Sequence, residues 1–249
     1  MPTKSRFSSS FLIEYSQGNV LLDIGPGTIE KLRRRNVNPN TISRIFITHL
    51  HLDHVLDLPA IIKIRLFDEV GGPNPAPPNL DVYGPVGLRN FLYKMISPEG
   101  VYSYLSEMMK YYSYLRIREV GEGLVEESVN LRVYSSHVEH YDSVAYRFEI
   151  DGYSLAYSGD TVYDERMIKL AENVDILIHE CSFPKELLLG KHTSDEELIK
   201  VVKSAQPKIL LVTHLYPAWE GREGQLEEKL RRETGCRVYV VKDMDILEV

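Results

Sequence analysis

This sequence has little that would staple it or anchor it. Two cysteines, Cys181 and Cys236, in 249 residues cannot make a disulfide framework. No run approaches the roughly 18 uncharged apolar residues that a membrane span requires. Behind Met1-Pro2-Thr3-Lys4-Ser5-Arg6 no apolar stretch follows, so no secretory signal is expected and the chain reads as cytoplasmic. Positive charge is in short supply: Lys plus Arg is 29 against 36 for Asp plus Glu, a net charge of -7. That balance argues against unaided, non-specific nucleic-acid binding, but leaves room for a local basic site or a metal site that accepts phosphate. The rest is ordinary globular composition, 43% hydrophobic and 26% charged, in a chain long enough to bury a core without staples.

Periodicity predicts alternating strands and helices. Residues 11–15 and 20–24 read as a hairpin around Gln17-Gly18-Asn19, followed by a helix over 29–35 closed by Asn36. Ile45-Phe46-Ile47 is a short buried strand. Asp57 before Pro59 starts a helix that runs to about Phe67. Residues 71–78, rich in Gly and Pro, form a linker-like stretch before a strand over 80–83. A tyrosine-rich helical region spans 88–114, broken at Ser97-Pro98 and Gly100. Further strands are expected at 115–120, 130–136, 144–150, 153–158, 175–178, 209–213 and 237–241. Helices are expected at 164–172, 194–204 and 222–234. The class is α/β, with sheets that mix hairpins and crossovers.

The eight histidines are the informative oddity. None lies before residue 49 or after 214, and His49, His51 and His54 share six positions with Asp53. Four metal-competent side chains in His49-Leu50-His51-Leu52-Asp53-His54 follow a buried strand directly. Imidazole nitrogen and carboxylate oxygen suit zinc, and also manganese or iron. His49 and His51 point the same way in an extended segment, while Asp53 and His54 follow as the chain turns. One loop thus offers a ligand pair to each of two neighbouring ions. Two ions need more ligands, and strand ends supply them: Asp160 after Ser158-Gly159, His214 after Leu210–Thr213, and either His137 or His140. Ile45–His49 and Leu210–His214 also echo each other, each a strand that delivers a Thr-His pair.

Together these residues resemble the metallo-β-lactamase superfamily over nearly the whole chain. The early Leu22-Asp23-Ile24-Gly25-Pro26-Gly27-Thr28 turn is similar to its Asp-x-Gly turn. Asp81–Leu88 and Ala145-Tyr146-Arg147-Phe148 are similar to segments of its ribonuclease Z and arylsulfatase-like branches. The resemblance implies a four-layer αββα sandwich of two mixed sheets flanked by helices, as a single domain over 1–249. It implies His49, His51 and His140 on one metal, Asp53, His54 and His214 on the other, and Asp160 bridging. Ribonuclease Z also carries His-Glu-Ala-Thr and a later His-Ser-Thr, whose Glu and second His pair and pass a proton to the leaving group. The matching positions here are His179-Glu180-Cys181-Ser182 and His192-Thr193-Ser194. Two features depart from that branch. Only 20 residues separate His140 from Asp160 and 19 separate Asp160 from His179, which leaves no room for the Gly-rich arm that clamps transfer RNA. The branch's usual Gly-rich opening strand before Arg6 is missing or cut short.

The expected enzyme is a binuclear metal-dependent hydrolase, most simply a phosphodiesterase of ribonuclease Z type with two Zn2+ ions, Mn2+ or Fe2+ being the alternatives. A hydroxide held between the ions would attack, Asp53 would orient or deprotonate it, and His192 held by Glu180 would protonate the leaving oxygen. A hydrolase of small esters (a lactone, thioester, sulfate ester or cyclic nucleotide) would use the same core. The expected partner is RNA or a small phosphodiester or ester, with no membrane; the assembly state is open, a homodimer included.

Overall fold

Residues 3–188 and 190–249 are described by the computed structural model. They group into two compact units, Ser9–Val120 and a second formed by the chain up to Ser8 with Gly121–Val249. Each unit is one mixed sheet with helices packed on it.

In the first unit β1 (Phe11–Tyr15) and β2 (Gly18–Leu22) make the predicted antiparallel hairpin. Gly18 turns it at φ 130°, a conformation that costs glycine least. β3 (Ile42–Phe46), β4 (Leu80–Gly84) and β5 (Leu115–Glu119) then add in parallel, giving the order β1-β2-β3-β4-β5. Parallel neighbours need crossovers. These are α1 (Thr28–Arg34), then α2 (Leu52–Val55) with α3 (Leu58–Ile64), then α4 (Leu88–Ile96) with α5 (Ser103–Met109). Alternate strand residues Leu21, Ile45 and Val82 pack with Leu58, Ile61, Leu88 and Leu92 from these helices. Because β2, β3 and β4 run the same way, their C-terminal ends open along one edge, where ligands of parallel sheets gather. Asp23 and the 49–54 loop leave the sheet there.

In the second unit β6 (Gly123–Ser128), β7 (Leu131–His137), β8 (Val144–Ile150) and β9 (Tyr153–Tyr157) form an antiparallel meander. β10 (Ile176–Glu180), β11 (Ile209–Thr213) and β12 (Arg237–Val240) continue it in parallel from β9. Three helices complete the unit: α6 (Glu165–Leu170), α7 (Asp195–Ala205) and α8 (Glu223–Thr234). Leu177, Leu210, Val212 and Val238 pack against Met167, Leu198, Val202, Leu226 and Leu230. Here β9, β10 and β11 bring Asp160, Glu180 and His214 to one sheet edge. The N-terminal residues belong to this unit through Arg6, whose guanidinium donates to the Val241 carbonyl (2.8 Å) and pairs with Glu223 (3.0 Å).

The predicted elements are present, but a short unpredicted helix, α2, lies within the histidine motif, β3 starts at Ile42 rather than Ile45, and two further differences bear on the second sheet. β6 was not expected, because Leu124-Val125-Glu126-Glu127 has almost no apolar face; as the sheet's edge strand it needs none. β10 runs two residues beyond the predicted 175–178, since His179 and Glu180 are polar yet fully buried in the ladder with β11. Among the described residues no helix is long and apolar enough to cross a membrane.

Candidate metal-dependent active site

In the first unit the site grows from Asp23, which follows β2 in a left-handed conformation (φ 55°), a state that Asp tolerates better than most residues. Its fully buried carboxylate accepts from the Thr48 backbone N–H (2.7 Å) and from the Thr48 hydroxyl (2.9 Å to Oδ2). It also accepts from His54 Nδ1 at 2.7 Å. The Thr48 proton is therefore committed to Asp23, so the His49 Nδ1 that lies 3.1 Å from Thr48 Oγ1 must be the donor there. Both rings are fixed as Nδ1–H tautomers and present Nε2 as the lone-pair nitrogen. His51 lies edge-on to His49 with ring centroids 4.5 Å apart, and His54 lies 4.1 Å from His49. The Asp53 carboxylate is 3.8 Å from His54 Nε2. The four motif residues are thus brought together within one unit.

The second unit assembles the later residues around Asp160, which is almost fully buried. His214 Nε2 lies 3.3 Å from Asp160 Oδ1, while His140 Nε2 and His192 Nδ1 each lie 3.9 Å from Oδ2. His140 Nδ1 is 2.8 Å from the Lys191 carbonyl and can only donate to it, so Nε2 again carries the lone pair. Of the two histidines that spacing left open, His140 is the one beside Asp160, and His137 stays in the ladder opposite Val144. His214 leaves β11 in the left-handed region (φ 53°). Strained backbone of this kind concentrates where geometry serves function.

Glu180, fully buried, completes this half. Its Oε1 accepts from the Thr161 N–H (2.7 Å) and from His192 Nδ1 (3.0 Å). Burial disfavours a charged His192, but the hydrogen bond to Glu180 and the charges of Glu180 and Asp160 outweigh it and hold its pKa above the usual histidine value. His192 Nε2 faces the Tyr216 hydroxyl at 3.5 Å, beside the Phe183 ring. Burial, with the Asp195 and Glu180 charges, pushes the Cys181 thiol pKa well up, which disfavours the reactive thiolate.

The donor set fits divalent cations. In the second unit His214 Nε2 lies 3.3 Å and His140 Nε2 3.9 Å from the two carboxylate oxygens of Asp160. The Asp160 carboxylate oxygen and the His214 ring nitrogen stand only 3.3 Å apart, an arrangement that a cation between them can stabilise. Sequence reasoning had quoted Asp23 and Ser182 only within motifs and had given Thr48, Tyr216 and Phe183 no role. The Thr-His echo at 48–49 was the available signal for Thr48.

A family model described as anti-Pycsar protein Apyc1 matches residues 2–230. A protein named Ribonuclease Z from Anoxybacillus flavithermus is 28% identical over 280 residues, covering 89% of this chain and 85% of its own. Another of that name, from Limosilactobacillus fermentum, is 26% identical over 306 residues, covering 100% and 94%. Alignments longer than this chain mean that the relatives carry insertions it lacks. The metallo-β-lactamase fold protein YhfI from Bacillus subtilis superposes with a TM-score of 0.78 at 18% identity, over 97% of this chain and 92% of that one. The short form of human tRNase Z gives 0.73 at 20% identity, over 99% and 94%.

Proposed function

This chain belongs to the anti-Pycsar protein Apyc1 family and has the metallo-β-lactamase fold, and from that premise we propose how it works as a ribonuclease Z-like, metal-dependent hydrolase of phosphodiester bonds. The ligands we assign are His49, His51, Asp53, His54, His140, Asp160 and His214, holding two divalent ions, zinc by the imidazole-carboxylate character of the set. Such ions supply Lewis acidity and lower the pKa of water. Asp53 orients the attacking water and takes its proton. His192 gives the departing oxygen its proton from Nε2, while Glu180 holds Nδ1 and favours the protonated ring.

The observation that carries this reading is the 3.0 Å contact between His192 and the buried Glu180. An imidazole whose pKa is held up by the carboxylate at Nδ1, and whose Nε2 faces the Tyr216 hydroxyl at 3.5 Å, is suited to protonate a leaving group. His192→Ala should keep the metals and the fold. On a ribose leaving group it should lower turnover by roughly 10²–10⁴, the usual size of a general-acid contribution. On bis-para-nitrophenyl phosphate the loss should shrink, because nitrophenolate departs without a proton. Equal losses on both substrates would sink the assignment.

For substrate size, the insertions present in the relatives and missing here favour a compact phosphodiester, such as a 2′,3′-cyclic nucleotide, over a folded transfer RNA. Turnover of a precursor transfer RNA faster than of cyclic nucleotides would reverse that preference.

A further inference from the structure

We infer that Ser182 is a positioning residue that sets the tautomer of His214 and ties that ring to the carboxylate holding His192. Ser182 Oγ lies 2.5 Å from Glu180 Oε2, 3.0 Å from His214 Nδ1 and 3.1 Å from the His214 carbonyl, and the residue is fully buried. A hydroxyl has one proton to give. The shortest of these contacts is to a buried carboxylate, and charge-assisted bonds of this kind are the strong ones, so the proton lies toward Glu180. Ser182 Oγ is then an acceptor toward His214, and His214 Nδ1 must carry its hydrogen. The lone pair is left on Nε2, the nitrogen 3.3 Å from Asp160.

The first unit shows the same wiring. There Thr48 Oγ1 stands between His49 Nδ1 (3.1 Å) and Asp23 (2.9 Å), and Asp23 also holds His54 Nδ1. In each unit one hydroxyl and one carboxylate link two histidines. The partners differ: Asp23 joins two assigned ligands, whereas Glu180 joins an assigned ligand, His214, to the assigned proton donor, His192. Ser182 is therefore a group through which metal ligation and proton delivery are mechanically joined. The His192 half of this statement rests on the function proposed above; the tautomer half stands alone.

The test reads histidine nitrogens directly. In metal-stripped protein labelled with ¹⁵N at histidine, His214 should be an Nδ1–H tautomer. Ser182→Ala should shift it toward Nε2–H or a mixture. Metal affinity, titrated with Zn2+ alone, should fall by roughly 10–100-fold, the usual cost of losing a group that orients a ligand. Ser182→Thr keeps the hydroxyl and should restore both readouts. Ser182→Val has the shape of Thr without it and should not, so the Thr/Val pair decides even if the alanine variant folds poorly. An unchanged His214 tautomer and zinc affinity in the Val or Ala variant overturns the inference, as does failure of Thr to rescue. His192→Ala separates this from the proton-donor reading: it should leave the His214 tautomer alone, whatever it does to turnover.

Discussion

Asp160 is the residue on which three of the second unit's histidines, His140, His192 and His214, converge, and its carboxylate makes no contribution to the sheet ladder. Asp160→Ala should therefore lose metal and nearly all turnover while keeping wild-type circular dichroism. Activity within tenfold of wild type would reduce Asp160 to a turn residue. At this scale the clustering of the candidate side chains was legible where they lay in short motifs. His49, His51, Asp53 and His54 announce themselves by spacing, and Asp160 and His214 by their place after strands. The groups that fix ring orientation were harder to see. Asp23 is 31 residues from His54 and Ser182 is 32 from His214. No local pattern shows a hydrogen bond that only the parallel register of strands creates.

Among the elements, α7 matters most to the site, because its N-cap, Ser194, stands two residues after His192. Ser194 caps it: its hydroxyl accepts from the Glu197 N–H, and the Glu197 carboxylate accepts from the Ser194 N–H (2.9 Å). Ser194→Ala should cost about 1 kcal/mol in denaturant unfolding, the usual worth of such a cap. A cost near zero would mean that packing of Leu198, Val201 and Val202 alone fixes the helix start. The helix expected at 194–204 lies within a residue of its observed bounds, Asp195–Ala205. β6 was unreadable because an edge strand with Glu126 and Glu127 obeys no hydrophobic alternation; its pairing with β7 comes from the meander, not from its own residues.

For the molecule as a whole, the net charge of -7 bears on substrate choice. A polyanionic RNA meets no general attraction here, and the relatives' insertions are missing. Binding of precursor transfer RNA should be weak and lie behind cyclic nucleotides in kcat/KM. Tight RNA binding with a steep loss on adding salt, the mark of many phosphate contacts, would contradict this. The alternation of strands and helices made the fold class legible, since each crossover has its own periodicity. The division into two units was not, because one continuous alternation runs through both.

The hydrogen bonds that hold the histidine rings also fix an order of events. Four rings, those of His49, His54, His140 and His214, are anchored at Nδ1 by a hydroxyl, a carboxylate or a backbone carbonyl. Each unit also closes an apolar core of its own around its sheet. Folding thus comes first and metal second, the reverse of a zinc finger, in which the ion replaces the core. A chelator should abolish turnover yet leave a cooperative thermal transition, its midpoint lowered only by the lost binding energy. Zinc added back to the cold, stripped protein should restore activity at the speed of binding rather than of refolding. Chelation that melted the sheets would mean that the ions, not the side chains around them, keep the rings in place.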